Sequence, residues 1–469
     1  MLQHPLNLFK KISEDDMDAL VNGALEILNT AGYDVFAPSA LAVLEEKGVR
    51  VEGNRAFPTP EFIMEQLAQA PAQFTWMARN PERDVEIGNG SMVLTPAYGS
   101  SFVADAQGVR RNALMEDYVR FTQLTQAIED IDGCSFIVVE PQDIPVEERA
   151  LRMTRAMLDY SDKPVMGAVM TPEEADASIE LVRRAMGGRE GAFVLGNING
   201  NSPLSLEKNM GESMMTYVRH GQAIYFTPSA NMGIVGPVTP EGTCCFLLAE
   251  IMMALAIVQA ASPGHPVIMG TGSFGTDLRN ASTGYGRAEH VLGTLVMAQA
   301  AQRLNIPYRC TASVTGSCYT DARSGYESME TALAGWMAGA SLAVHCFGIL
   351  DNISSVGYEK FMLDLEIWRN LKSIGRTMEF NRENLALDLA LERPAMFLAH
   401  PHTMKHFKEV IYQPMFAVAK PYDPEKIPNV TEMAADLCMK TLAAYEKPAM
   451  DAETANALDD YMISKGLTL

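Results

Sequence analysis

Arg309 and His345 are the two side chains of this sequence best placed to hold an anion. Each follows apolar residues on a predicted strand, and the two strands are neighbours in order. A guanidinium and an imidazole could then converge on one carboxylate. A structural arginine paired with Asp277 or Glu327 would leave the same trace. Other short apolar runs end in polar residues too: Tyr98, Ser100 and Ser101; Glu140 and Gln142; Asn197, Asn199 and Asn201; Thr227, Ser229 and Asn231; Thr271, Ser273 and Asp277; Thr311 and Ser313. No lysine is among them, and Arg309 is their one strand-borne cation. Such a set orients a small ligand by hydrogen bonds and supplies neither a Schiff-base lysine nor a carboxylate dyad. Tyr98, Phe274, Tyr285 and Phe347 lie near strand ends. Singly each reads as packing, but several around a cavity could hold a quaternary ammonium through cation–π contacts.

Three other constellations invite chemistry and carry less weight. Gly270-Thr-Gly272-Ser-Phe-Gly275 has the glycine spacing of a dinucleotide-binding turn. A true turn of that kind opens a helix at once, whereas residues 276–286 read as loop and the next helix begins near residue 287. Cys244 and Cys245 could bind zinc as vicinal thiolates with a distant third ligand, yet they open an apolar helix, and packing thiols are the favoured reading. His400, His402 and His406 lack an obvious carboxylate companion and suit a capping or surface role.

The elements that must position these residues follow a rhythm. Short β-rich runs begin near Met92, Phe136, Pro164, Ala192, Ala223, Pro266, Tyr308 and Leu342, with helix-period segments between them. Eight such βα units predict a parallel sheet covered on both faces, closed as a (β/α)8 TIM barrel. Polar residues at the C-terminal ends of its strands would build the site. Residues 1–85 read as a cap of helices and hairpins, with a helix over 13–31 and a hairpin around Gly53-Asn54. The barrel would span 86–380, and 381–469 would form a C-terminal helical extension packed on it.

Composition narrows the classes. A formal charge of −21 argues against a nucleic-acid or anionic-membrane partner. Hydrophobic residues at 48% and charged residues at 20% support a sizeable core. No uninterrupted apolar run of spanning length is visible, and the first residues do not form a signal peptide. Seven scattered cysteines point to reduced, packed thiols. The expectation is a cytoplasmic enzyme, with homo-oligomerisation suggested by its apolar outer helices.

Residues 270–282 (GTGSFGTDLRNAS), 319–350 (from YTDARSGYESMETALAGW onward), 354–366 (SSVGYEKFMLDLE) and 399–407 (AHPHTMKHF) resemble the trimethylamine methyltransferase superfamily over most of the chain. The resemblance implies a barrel that passes a methyl group from an amine to the cobalt of a corrinoid (cobalamin) carried by a separate small protein. The trimethylamine branch has pyrrolysine in a segment corresponding to about residues 321–327. Only standard residues stand here, which points to the branch acting on betaine-type quaternary amines. Glycine betaine is the first expectation; proline betaine, carnitine or butyrobetaine would suit the same chemistry. Arg309 and His345 would hold the substrate carboxylate, with Tyr98, Phe274, Phe347, Asn199 and Asn231 around the rest. Gly272, Ser273, Asp277, Arg279, Asn280 and Tyr285 would face the corrinoid. Transfer by positioning needs no catalytic acid, and no tightly bound metal is expected. The alternatives are a zinc-dependent thiol methyltransferase using Cys244 and Cys245, and a non-catalytic module that binds betaine or a corrinoid protein.

Overall fold

The computed structural model describes residues 1–5, 7–394, 396–416 and 429–468. Seven short parallel strands form its centre: Ser91–Leu94, Val165–Gly167, Val194–Ile198, Ala223–Phe226, Val267–Gly270, Tyr308–Thr311 and Leu342–Val344. From Val165–Gly167 onward each pairs with the next in the chain. The last, Leu342–Val344, pairs in parallel with the first, Ser91–Leu94, so the sheet curls on itself. Leu2–Gln3 adds an eighth, antiparallel strand on Ser91 and Met92. Every residue of the seven parallel strands is buried. That is why they read as continuous apolar runs rather than alternating ones.

The strand expected at Phe136 is not there. Only Cys134 bridges Val165, and Asp132 donates its N–H to the Leu94 carbonyl at 2.9 Å. The apolar run that follows is buried but turns, because its backbone groups are claimed elsewhere. The Tyr118 hydroxyl donates to Phe136 O at 2.8 Å, and the Gly99 N–H donates to Ile137 O at 2.7 Å. β-branched composition marked a buried segment correctly and its hydrogen-bonding wrongly.

The opening segment forms as its capping signals require. Ser13 accepts from the Asp16 N–H and starts the helix Glu14–Thr30, and Arg50–Glu52 pairs with Arg55–Phe57 as a hairpin. This segment has a structural task. The helix Pro240–Ala261 is apolar on every side, and Glu14–Thr30, Pro38–Glu46 and Pro60–Leu67 pack over it. Among the described residues it is the one helix long and apolar enough to cross a membrane, yet 83% of its most apolar stretch is buried inside the protein. The sequence reading had an apolar helix opening at Cys244 and Cys245, and Glu250 and Gln259 are the polar residues that interrupt its run. Burial by the chain's own cap also removes the apolar outer helix as a reason to oligomerise.

At the other end, Val430–Ala443 packs on Tyr358–Ile374 and Met115–Ala127, and Ala452–Ser464 packs on Pro172–Ala185. Because all seven central strands run the same way, their C-terminal ends lie on one side of the sheet. The site candidates follow from that side.

Candidate active site

Arg309 lies in the strand Tyr308–Thr311 and is 1% exposed. Its Nη1 donates to the Thr271 carbonyl at 2.7 Å and to the Thr311 hydroxyl at 2.6 Å, while its Nε is buried without a partner. The guanidinium stands 5.5 Å from the centre of the Tyr225 ring. Neither acid offered by the structural reading reaches it. Asp277 is paired with Arg279 and Arg287, and Glu327 with Arg323. A buried cation left without an anion is expensive, and proteins ordinarily pair it.

His345 follows the adjacent strand. Its Nδ1 accepts the backbone N–H of Tyr98 at 3.2 Å, so the ring proton sits on Nε2. Burial first, then the charge of Arg309, holds its pKa well below the usual histidine range. A second imidazole, His290, donates from Nε2 to the Thr311 carbonyl at 3.1 Å and leaves Nδ1 buried and bare. Burial pushes its pKa down to about 4. Both rings are therefore neutral at pH 7, one a donor and the other an acceptor.

Around them, further polar atoms are buried without partners: Tyr98 Oη, Asn197 Oδ1, Thr227 Oγ1 and Ser313 Oγ. The Tyr98 hydroxyl lies near the Asn197 side chain without a well-formed hydrogen bond, and burial pushes its pKa up to about 12. Buried polar groups in folded proteins are nearly all satisfied. Unpaired atoms near the ends of several strands are groups that a polar ligand could satisfy.

The remaining sequence candidates divide. Tyr285 joins the group, its ring edge-on to His290 at 5.6 Å between centres. Phe274 packs on the helix Ala288–Leu304, where a Cβ on Gly293 would meet its ring at 2.4 Å, and its ring centre is 6.3 Å from that of His290. Phe347 likewise packs on Phe361 of the helix Tyr358–Ile374. Asn199 is exposed, and Asn231 donates to the Thr283 hydroxyl at 3.0 Å. Gly272 lies where a Cβ would come within 2.2 Å of the Ser229 hydroxyl, which accepts the Ser273 N–H at 2.8 Å. Asp277 sits in a small ribbon, Thr276–Asp277 against Ser282–Thr283, with Asn280 at its exposed turn. The Arg279 guanidinium beside Asp277 holds that carboxyl well below its usual range. Tyr225 and His290 were missed because one lies mid-strand and the other on a helix. Polar residues inside otherwise apolar elements were the available signal.

Cys244 and Cys245 are elsewhere. They line a crevice of about 620 Å³ between Glu14–Thr30, Pro240–Ala261 and Ala288–Leu304. Among the described residues no third His, Cys, Asp or Glu joins them. Burial pushes the Cys244 thiol up to about 12. His400 caps the helix Pro401–Val410, its Nδ1 accepting from the His402 N–H.

The whole-chain comparison decides the family. Residues 1–467 match the model of the trimethylamine methyltransferase (MTTB) family. The chain belongs to that family. Within it, the sequence is 32% identical to the glycine betaine methyltransferase of Desulfitobacterium hafniense (strain Y51), over 97% of both chains. Identity to the proline betaine:corrinoid methyltransferase of Eubacterium limosum is 25% over 79% of each, and to that organism's L-carnitine:corrinoid methyltransferase 23% over 85% of each. The fold is similar to that of the Methanosarcina barkeri monomethylamine methyltransferase, with a TM-score of 0.56, 11% identity and coverage of 94% of this chain and 90% of that one. In this MTTB-family chain, Arg309, His290, His345, Tyr98 and Tyr225 are all buried polar side chains.

Proposed function

We propose that this MTTB-family chain demethylates a carboxylated quaternary amine, glycine betaine before its larger analogues, and delivers the methyl group to a corrinoid carried by a separate protein. The carrying observation is Arg309, a buried guanidinium with no acidic partner beside a neutral imidazole donor. A betaine carboxylate supplies the missing anion, with charge-assisted bonds worth about 1.5–3 kcal/mol each. Its trimethylammonium then rests among the rings of Tyr98, Tyr225 and Tyr285. Names of three relatives support the substrate class.

The residues suit this chemistry in a second way. A methyl on quaternary nitrogen leaves a neutral tertiary amine behind, so no side chain has to deliver a proton. His290 and His345, both held neutral, and Tyr98, held protonated, meet that requirement. Their contribution is orientation and exclusion of water, effects that reach roughly 7–11 kcal/mol in well-aligned systems. A reduced corrinoid would supply the nucleophile for the methyl group, with the tertiary amine as leaving group. Its protein would dock over the strand-end loops, where Met170, Ile234, Val238 and Leu278 are exposed apolar side chains and Arg279 is an exposed cation.

With this reading go a closed (β/α)8 barrel over residues 86–380, residues 132–135 serving as its eighth stave, a cap over 1–85, a C-terminal extension over 381–469 and a cytoplasmic setting. The test mixes the protein with reduced corrinoid partner and a panel of betaines and follows the corrinoid absorption spectrum. Methylation with glycine betaine is expected; no spectral change with any quaternary amine sinks the proposal.

A further inference from the structure

Residues 376–411 leave the body of the protein at the end of the helix Tyr358–Ile374 and return to it. Arg376 donates to the Val410 carbonyl at 2.9 Å and closes the base. Tyr412 and the Met415 N–H then bind the Glu366 carboxylate at 2.6 and 2.7 Å. Between these anchors not one described residue is buried, although the segment forms the helices Leu387–Glu392 and Pro401–Val410. Helices of six and ten residues do not hold in water without a packed face.

The exposed surface is apolar. Phe380, Leu391, Met396, Phe397, Leu398 and Met404 are each 60–79% exposed. With their smaller neighbours they present on the order of 400–800 Å² of side chain, at the ~25 cal/mol per Å² that relates area to the worth of a buried side chain. A typical monomer's largest apolar patch is about 300–600 Å². The charges of the arm pair with one another, Arg382 with Asp388, Lys405 and His406 with Glu383, and His400 with Glu392. Its five Lys and Arg balance its five Asp and Glu, so the formal −21 lies entirely on the rest of the chain.

We propose that residues 376–411 form the contact through which two copies of this chain associate. A surface that needs covering to be ordered needs a partner present whenever the chain folds, and a second copy always is. Zero net charge lets the arm meet its own image without the repulsion the acidic body would impose. Doubled, its area is about 800–1,600 Å², the scale of a specific interface. Its root lies beside the start of the first parallel strand: a Cβ on Gly375 would lie 3.6 Å from Leu2, which pairs with Met92.

Sedimentation velocity on the full chain at micromolar concentrations tests this. A dimer or larger assembly is expected, and the triple variant Leu391→Glu, Phe397→Glu, Leu398→Glu should sediment as a monomer that keeps the thermal unfolding transition of the body and loses no more helical circular dichroism than the arm's two short helices contribute. Amide exchange supplies a second reading, with protection of residues 376–411 rising with protein concentration. A monomeric wild-type protein, an assembly that survives the triple variant, concentration-independent protection, or a monomer that floats with lipid vesicles overturns the proposal.

Discussion

The backbone N–H of Tyr98 donates to Nδ1 of His345 at 3.2 Å, and that one bond leaves the imidazole a single tautomer with its proton on Nε2. The same contact ties the loop after the first parallel strand to the loop after the last. Burial and Arg309 hold the ring neutral, so it donates without acting as an acid.

His345 should therefore contribute equally across the neutral range. We expect kcat/KM for the betaine to show no break near pH 6.5, where a free histidine titrates. His345→Ala should lower kcat/KM about 10- to 100-fold through KM, the scale of a lost hydrogen bond to a charged group. An unaltered KM in this variant excludes contact with the substrate.

Arg309→Met separates binding from stability. Removing an arginine from an ordinary buried ion pair destabilises by about 3–5 kcal/mol because it strands the partner's charge. No acid is stranded here, and the Thr271 carbonyl keeps the Thr311 hydroxyl at 3.2 Å. Thermal unfolding of the variant should match or exceed that of the wild type, while betaine turnover falls at least 100-fold. A large loss of melting temperature would show that the guanidinium is structural.

Lys360 and Asp364 form an ion pair at 2.5 Å that is fully buried. It pins both site loops: Asp364 accepts the Gly348 N–H at 2.8 Å, and Lys360 donates to Ser328, whose hydroxyl donates to the Ser313 carbonyl. Asp364→Leu or Lys360→Met alone should cost about 3–5 kcal/mol in denaturant unfolding. The double change to Met and Leu should cost less than the two single changes added together. Additive losses would mean that the pair is not coupled.

Glu250 gives stability a pH dependence of known sign. It is buried on the apolar helix, accepts from the Leu204 N–H and the Ser202 hydroxyl, and burial pushes its pKa up to about 7. Between its unfolded pKa and 7, the folded chain holds a proton that the unfolded chain has lost. Stability from this group is thus fully present at low pH and declines as pH rises through 7. The buried imidazoles act in the opposite sense, since their lowered pKa values remove stability as pH falls below 6.5. Comparison with Glu250→Gln cancels them. The melting temperature of the variant minus that of the wild type should grow from pH 5 to 7.5, and a flat difference would mean that Glu250 titrates as an exposed carboxylate.

Much of the framework was legible because it rests on local rules. Ser13 announced its helix by the cap it makes, and seven apolar runs became parallel strands because burial on both faces leaves no polar alternation to misread. The run at Phe136 misled because its apolar content is real, while its backbone partners, Tyr118 and Gly99, come from distant segments. Phe274 shows what the sequence leaves open within the site. Proximity to a strand end marked it, but only the placement of the helix decides that its ring packs on the bare face of Gly293, nineteen positions on, with His290 6.3 Å away.

By itself, then, the sequence determined the family, the rhythm of strands and helices, and the presence of one arginine among neutral strand-end residues. Periodicity, capping and composition act over a few residues and survive in one dimension. Only the tertiary structure decided that Arg309 lacks an acid, that His345 has one tautomer, and that Tyr225 and His290 belong beside them. Those are properties of distance and desolvation between residues on different elements, such as Arg309 and Thr271. Energies of that kind exist only once the sheet has brought its strand ends to one side.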